Sequence, residues 1–110
     1  MALDLTQDAA VYLSDFGEAV VYRPRAGQPR PIRALVDRSP PAPVAEAPGA
    51  LAPRIRLVVR NDDRLGVSSR EVDTGGDRVE VAVRLGRAPE SLAVVRVAAQ
   101  DAGLVELEAR

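Results

Sequence analysis

The chain has 110 residues and a formal net charge of −1, and hydrophobic residues make up 46 % of it. This composition is typical of one soluble globular domain and excludes a collagen-like or wholly disordered chain. The chain contains no His, Cys, Trp or Lys, and its three aromatic residues are Tyr12, Phe16 and Tyr22. These absences exclude disulfides, imidazole or thiolate chemistry, cysteine-ligated metal sites and lysine Schiff bases.

No apolar run approaches the ~20 residues that a membrane-spanning helix needs. Asp4 and Asp8 lie where a secretory signal peptide carries positive charge, so we expect a soluble protein without membrane contact. The charge is unevenly distributed: residues 1–18 carry −4, residues 19–60 carry +6 and residues 61–110 carry −3. This pattern fits either an ordinary mixed surface or a subunit held between unlike partners.

The first predicted element is a short amphipathic helix over about residues 6–16, preceded by an N-terminal arm, residues 1–8. Four apolar residues recur at helical spacing: Ala9, Tyr12, Leu13 and Phe16. This spacing predicts that all four pack against the core. Gly17 supplies the C-terminal stop of the helix.

After Gly17 the apolar residues alternate with polar ones, as they do in half-buried β-strands. Six segments have this pattern: residues 19–23, 32–37, 54–60, 78–85, 92–99 and 104–108. Strand 78–85 is predicted to point four apolar side chains inward: Val79, Val81, Val83 and Leu85. The chain has no alternating βαβ pattern, so the sheet should be antiparallel, and its last two strands should form a hairpin. We therefore expect a mainly β fold, a small antiparallel barrel or sandwich of about six strands with one short N-terminal helix.

A long segment rich in Pro and Ala, residues 39–53, interrupts the strands. It contains five prolines: Pro40, Pro41, Pro43, Pro48 and Pro53. Such a composition favours an extended, mobile loop within the single domain 1–110. Unstructured connections of this length are uncommon in compact domains, so the loop is either a contact element or a tolerated insertion.

The carboxylates offer little chemistry. Four of them flank predicted strands and could ligate a hard cation: Asp62, Asp63, Asp73 and Asp77. Their spacing matches no ligand loop, so a role in turns is the better interpretation. A glycosidase pair of carboxylates is also disfavoured, because the chain lacks aromatic residues to stack against a sugar.

Two further motifs are equally uninformative about catalysis. Ser68-Ser69 has no His or Lys in the chain to activate it as a nucleophile. Gly75-Gly76 is followed by no helix and no Lys, so it predicts a turn and not a phosphate-binding loop. We therefore expect no enzyme activity, no catalytic residue, no cofactor and no metal.

Three arginines, Arg54, Arg56 and Arg60, project from one face of strand 54–60 and form a candidate DNA-facing stripe. An OB-like barrel binds single strands with such arginines together with aromatic residues that stack on the bases. Tyr22 is the only aromatic residue in a predicted strand. Contact with a DNA backbone therefore remains open, whereas sequence-specific recognition is not expected.

The order of elements resembles that of the small head-tail joining proteins of tailed bacteriophages, of the lambda tail-attachment (FII-like) kind. A short helix runs into Ser14-Asp15-Phe16-Gly17-Glu18-Ala19-Val20-Val21-Tyr22-Arg23, where the "DFG" segment leads into the first strand. A Pro/Gly-rich turn, a second strand ending near Asp37 and a long irregular loop follow. The Val-rich run 94–99, the Asp101-Ala102-Gly103 turn and the final Leu-rich strand resemble the closing hairpin of the family.

This resemblance implies a small barrel without a catalytic site. It implies that the protein binds the head connector or adaptor after DNA packaging, closes the DNA exit and presents the surface on which the tail docks. The implied assembly contacts are the arm with Asp4 and Asp8, and the loop with Pro40, Pro41, Pro43, Pro48 and Pro53. We expect a monomer in isolation and a ring in the virion neck, assembled in the bacterial host cytoplasm, with non-specific contact to packaged DNA left open.

Other functions fit the same sequence. An OB-like module that binds single-stranded nucleic acid is the main alternative from a different class. Another neck or tail component, such as a tail terminator, or an adaptor domain unrelated to phage would have a similar composition.

Overall fold

The computed structural model of the protein describes residues 13–38, 43–44, 47–51, 55–101 and 103–110. It contains eight strands: β1 (Glu18–Arg23), β2 (Arg30–Asp37), β3 (Pro43–Val44), β4 (Ala47–Leu51), β5 (Ile55–Arg60), β6 (Arg78–Val81), β7 (Glu90–Gln100) and β8 (Leu104–Ala109). Six of them form a closed barrel in the order β1-β2-β5-β8-β7-β6, and β6 pairs back onto β1. Every pairing is antiparallel. The predicted mainly β fold with six barrel strands is confirmed.

The strands close into a barrel because one face of each is apolar. In β5 the inward residues Ile55, Leu57 and Val59 are at most 2 % exposed, and they alternate with partly exposed residues. The same alternation runs through the first four residues of β8, whose last three residues are all buried. This strand pairs with β5 from Ile55↔Ala109 to Arg60↔Leu104. Burial of such side chains contributes roughly 25 cal/mol per Å² of apolar surface.

A buried carboxylate, Asp77, lies beside the largest buried side chain of the barrel, Tyr22. The Tyr22 hydroxyl donates to Asp77 Oδ2, which also accepts the Asp73 N–H at 2.9 Å. Asp77 Oδ1 accepts the Arg25 N–H at 2.8 Å, and the Val94 N–H donates to the Asp77 carbonyl at 3.0 Å. Burial, followed by the hydrogen bond to Asp77, raises the pKa of Tyr22, so its hydroxyl stays protonated as a donor. We call these residues the Asp77 cluster.

Residues 13–16 are helical, and the rest of the predicted helix 6–16 lies outside the described residues. The Gly17 N–H donates to the Leu13 carbonyl at 2.8 Å and ends the helix, as predicted. A Cβ at position 17 would lie 2.4 Å from that oxygen, so only glycine fits. Leu13 is buried, whereas Phe16 is 66 % exposed. The prediction that Phe16 packs in the core is therefore wrong, because the chain turns into β1 directly after it.

The fourth barrel strand, β6, is shorter than the predicted strand 78–85. Val79 and Val81 are buried and Val83 is partly buried, but Leu85 is 76 % exposed, so its predicted inward orientation is wrong. Two features end the strand: a hydrogen bond from a residue distant in sequence and a turn. Arg38 Nε donates to the Ala82 carbonyl at 2.8 Å, and the chain then turns through Gly86, which has a φ of 79°.

The segment 39–53 is not uniformly irregular. Strands β3 and β4 pair antiparallel in a two-stranded sheet separate from the barrel, with Pro43↔Leu51 and Val44↔Ala47 and an irregularity between the two pairs. Sequence analysis did not predict this ladder, because prolines are depleted in strands. A two-stranded ladder leaves outer edges where proline needs no hydrogen-bond partner.

Two exposed turns are fixed by carboxylates. Asp62 Oδ1 accepts the N–H groups of Arg64 and Leu65, at 2.7 and 2.9 Å. Asp101 Oδ1 accepts the N–H groups of Gly103 and Leu104, both at 2.8 Å. These backbone hydrogen bonds favour the ionised carboxyl and lower the pKa of Asp62 and of Asp101 below their ordinary values.

The Asp77 cluster predicts that substitutions at Tyr22 and at Asp77 lower the free energy of unfolding by different amounts. Tyr22→Phe removes one donor to a buried carboxylate and should lower the free energy of unfolding by about 1–3 kcal/mol. Asp77→Ala should cost more, because it leaves the Tyr22 hydroxyl and two backbone N–H groups without their acceptor. Urea unfolding measures both, with the exposed Thr74→Ala in the same turn as control. Equal stability of Tyr22→Phe and wild type would contradict this role of the cluster.

The turn carboxylates predict a loss of stability in acid. A lowered pKa means that the folded state binds the proton more weakly than the unfolded chain. The contribution is therefore complete above the ordinary carboxyl value of about 4 and is lost as the pH falls through the lower folded value. Asp101→Asn keeps an acceptor oxygen but cannot titrate, so its melting temperature should fall less than that of wild type between pH 7 and 2. Asp101→Ala should melt lower at every pH; a wild-type pH slope in Asp101→Asn would refute the assignment.

Candidate functional site

The connections between barrel strands lie alternately at its two ends, because all neighbouring strands are antiparallel. One end carries residues 13–17, the β2–β5 connection with β3 and β4, and the β6–β7 loop, residues 82–89; we call it the hairpin end. The opposite end carries loops 24–29, 61–77 and 101–103. Both contact elements that the sequence suggested, the N-terminal segment and the segment 39–53, therefore join the barrel at the hairpin end.

The predicted Arg stripe is largely neutralised. Arg56 Nη1 lies 3.3 Å from Glu106 Oε1 on the neighbouring strand β8. Arg60 Nε lies 3.9 Å from Asp62 Oδ2, and Arg60 is only 20 % exposed. Arg54 lies outside the described residues. Of the two arginines of the stripe that the structure describes, Arg56 thus pairs across strands with Glu106, and Arg60 lies beside Asp62 of the loop that follows β5.

A bidentate ion pair between Arg38 and Glu18 links three strands at the hairpin end. Arg38 donates to both carboxylate oxygens of Glu18, at 2.6 and 2.5 Å, while its Nε holds the Ala82 carbonyl. The hydrogen bonds from Arg38, with a smaller coulombic effect, lower the pKa of Glu18 against its partial desolvation. A bidentate Arg–carboxylate pair has a fixed geometry. It connects the start of β1, the end of β2 and the end of β6.

The β6–β7 loop presents the most exposed apolar side chain of the described residues. Leu85 is 76 % exposed, and Arg84 and Arg87 on either side of it are also exposed. Neither arginine has an ion-pair partner within the described ranges. The Arg87 N–H donates to the Arg84 carbonyl at 3.1 Å, so the loop ends in a tight turn. This loop tip offers one apolar and two cationic groups to a partner.

An open groove of about 400 Å³ lies on the outer face of β1, β2 and β5. Its apolar lining comes from Leu13 on the helical turn, Ala19 on β1, Pro31 on β2 and Leu65 on loop 61–77. Leu65 is 62 % exposed. We call this feature the outer groove.

Two arginines border the outer groove. Arg33 Nη1 donates to the Gly17 carbonyl at 3.2 Å, a neutral partner, and Arg33 has no ion-pair partner in the part of the chain that the structure describes. The buried Arg60 Nε has no hydrogen-bond partner, and its carboxylate neighbour Asp62 is 3.9 Å away. The outer groove therefore combines an apolar floor with positive potential.

A second hollow, of about 510 Å³, lies at the opposite end, beside loop 24–29. Its charged groups are already paired: Arg30 Nη2 lies 2.8 Å from Glu71 Oε1, and Arg25 Nη1 lies 3.8 Å from Asp73 Oδ2. This pairing leaves little unbalanced charge for a ligand.

The carboxylates and serines singled out in the sequence have local roles. Asp73 Oδ1 accepts the Gly75 N–H at 2.8 Å in the predicted turn, and Asp62 fixes another turn. Asp77 departs from the prediction, because it is buried at the Asp77 cluster and is more than a turn residue. Within the described ranges, no three His, Cys, Asp or Glu side chains lie together as a metal site would require.

Ser68 and Ser69 belong to a bend of loop 61–77. The Ser68 N–H donates to Glu71 Oε2 at 2.8 Å, and the Ser69 N–H donates to Asn61 Oδ1 at 3.2 Å. The Ser68 hydroxyl accepts the Arg70 N–H at 3.3 Å. These bonds shape the loop.

Most of the predicted assembly contacts lie outside the described residues: Asp4, Asp8, Pro40, Pro41 and Pro53. Pro43 begins β3 and Pro48 lies in β4. Sequence analysis missed the outer groove and the tip of the β6–β7 loop. Gly86 next to Arg87 could have indicated an exposed turn at the tip of this loop. No local pattern could have indicated the outer groove, because its lining comes from the helical turn, three strands and loop 61–77.

Comparison with known proteins agrees with the resemblance noted in the sequence. Among the described residues, no helix is long and apolar enough to cross a membrane. Neither a curated protein nor a solved structure matches the chain significantly. A family model described as Phage Head-Tail Attachment protein matches residues 1–109, nearly the whole chain. The chain therefore belongs to the phage head-tail attachment protein family.

Proposed function

We propose that the protein joins the head connector to the tail in the neck of a phage or prophage particle and closes the DNA exit after packaging. The family match over residues 1–109 carries this proposal. The geometry supports it in two ways. The barrel interior is filled by side chains, and the surface features that remain suit contacts with other proteins.

The hairpin end is the surface proposed to meet a neighbouring neck protein. It gathers the helical turn 13–16, the β3–β4 sheet and the Arg84-Leu85-Gly86-Arg87 tip. Elements that project from one end of a rigid barrel can contact a partner without disturbing the core. The segment 39–53 is proposed to contribute to the same contacts. The arm with Asp4 and Asp8, which joins the barrel at this end, is proposed to contribute to contacts with a neighbouring subunit.

Self-association into a ring is part of this proposal, with a monomer in isolation and assembly in the host cytoplasm. A ring needs a heterologous interface, in which one patch of each copy meets a different patch of the next. Leu85 at the hairpin end and Leu65 at the opposite end are exposed apolar residues on unlike surfaces. Each could therefore belong to one of the two unlike patches that a heterologous interface requires.

Contact with packaged DNA is proposed to be secondary and non-specific. Arg56 and Arg60 would first have to leave their carboxylate partners. Arg84 and Arg87 are better placed, because both are exposed and have no ion-pair partner among the residues described. Phosphate contacts of this kind position a protein on DNA and do not read sequence.

An OB-like module for single-stranded nucleic acid is the second candidate, favoured only by the closed barrel. Base stacking needs aromatic side chains on the outer face of the sheet. Tyr22, the one aromatic residue in a barrel strand, points inward and is completely buried. This placement disfavours the module.

Replacing residues 39–54 with Asn-Gly tests the assembly role of the β2–β5 connection. Asp37 pairs with Arg56, so Arg38 and Ile55 face each other and a two-residue turn can join them. The variant should fold, with a melting temperature close to that of wild type, but should fail to join heads to tails. Electron microscopy of particles after complementation of a gene deletion measures joining.

A matched control replaces the exposed Ala26 and Gln28 of loop 24–29, at the opposite end, with Ser. This connection is not proposed to contact a partner, and the change keeps Arg25, whose N–H donates to Asp77. Each variant must first give the far-ultraviolet circular dichroism spectrum of a folded barrel. Normal joining by the folded Asn-Gly variant of 39–54 would refute the proposed role of that segment.

Fluorescence anisotropy with labelled single-stranded DNA separates the two candidate functions. A neck protein should bind weakly at physiological salt, and Arg84→Glu with Arg87→Glu should reduce any residual binding. Micromolar binding with a steep salt dependence would instead favour the nucleic-acid module. Double-stranded DNA of equal length is the control for backbone contact.

A further inference from the structure

The outer groove has the chemistry of a peptide-binding site. Its floor is apolar at Leu13, Ala19 and Pro31, and Leu65 forms an exposed wall. Arg33 adds positive charge at its border, and Arg60, whose charge is partly balanced by Asp62, adds a buried N–H that lacks a hydrogen-bond partner among the described residues. The ligand that fits is a short segment with apolar side chains next to carboxylates.

The N-terminal arm of the chain has this chemistry. Residues 1–8 read Met-Ala-Leu-Asp-Leu-Thr-Gln-Asp, with Leu3 and Leu5 beside Asp4 and Asp8. No other stretch of eight residues outside the barrel strands combines two leucines with two carboxylates and no arginine. We propose that the outer groove binds residues 1–8 of a neighbouring copy, with Leu3 or Leu5 on the apolar floor and the carboxylates toward Arg33 and Arg60.

The arm of a neighbour fits this position better than the arm of the same chain. Leu13 and Ser14 form one wall of the outer groove, so the chain reaches the groove at its own wall. Residues 6–16 contain no glycine or proline at which it could reverse. Exchange of an arm between copies is also a heterologous contact, which propagates around a ring. The inference rests on the ring association proposed above.

Disulfide trapping tests the contact, because the chain has no cysteine. Leu5→Cys and Leu65→Cys variants are mixed in equal amounts, assembled onto tail-less heads and oxidised. A disulfide between the two variants should form with a yield several-fold above that of Leu5→Cys mixed with Gln28→Cys. Gln28 is the matched control, since it is also exposed at the end opposite the hairpin end but lies in loop 24–29, which is not proposed to contact a partner.

Charge reversal tests the ion pairs. Arg33→Glu in the Leu65→Cys variant should lower the yield about 2–5-fold, as expected for partly exposed pairs. Asp4→Arg in the Leu5→Cys variant should restore it. Equal yields with Leu65→Cys and Gln28→Cys, or no restoration, would overturn the proposal.

The double variant Leu5→Cys with Leu65→Cys distinguishes the two sources of the arm. A disulfide within one chain, without cross-linked dimers on heads, would place the arm on its own barrel and overturn the exchange. If wild-type protein joins heads to tails but no cross-link forms, only this inference fails. If wild-type protein does not bind heads, the proposed function fails.

Discussion

The barrel depends on a buried carboxylate, Asp77, that has no cationic partner among the residues the structure describes. Asp77 is 3 % exposed and is held by donors from the Tyr22 hydroxyl and the backbone of Arg25 and Asp73. A buried charge is costly unless hydrogen bonds replace its hydration. Here those bonds come from β1, from loop 24–29 and from the turn before β6, and the Asp77 carbonyl adds Val94 of β7. One residue thus holds the barrel closed where β6 pairs with β1.

The hydrogen bonds of Asp77 matter because the core consists mainly of small aliphatic side chains. Apart from Tyr22, the largest fully buried side chains are Ile, Leu and Val. Small aliphatic residues fill a narrow barrel well but distinguish poorly between alternative registers, since many of them are interchangeable in volume. A buried hydrogen-bond network has a single correct arrangement and so selects one register. Tyr22 serves both purposes, because its ring fills the core and its hydroxyl completes the network.

The sequence predicted the six barrel strands because each depends on a local alternation of apolar and polar residues. It predicted the stop at Gly17 for a similar reason, since the close approach to Leu13 is made within one helical turn. The exposure of Leu85 was not predictable, because the strand pattern continues past Val81 while Arg38, distant in sequence, ends the strand at Ala82. The burial of Asp77 and the outer groove also depend on distant segments. The same limit applied to the Arg stripe, whose charge balance was decided by Glu106 on β8.

Function and stability occupy separate parts of this molecule. The carboxylates that sequence reasoning could have assigned to a metal or a reaction instead fix turns and the barrel seam. Arg56 is balanced across the sheet and Arg60 by the next loop. Among the described residues, arginines without an ion-pair partner remain at the loop tip, with Arg84 and Arg87, and at the outer groove, with Arg33. An interface built on such peripheral groups is weak for a single pair of subunits and gains strength when a ring makes the same contact repeatedly. In the proposed ring, that dependence on repetition would let subunits that are monomeric in solution assemble on a head, which acts as the template.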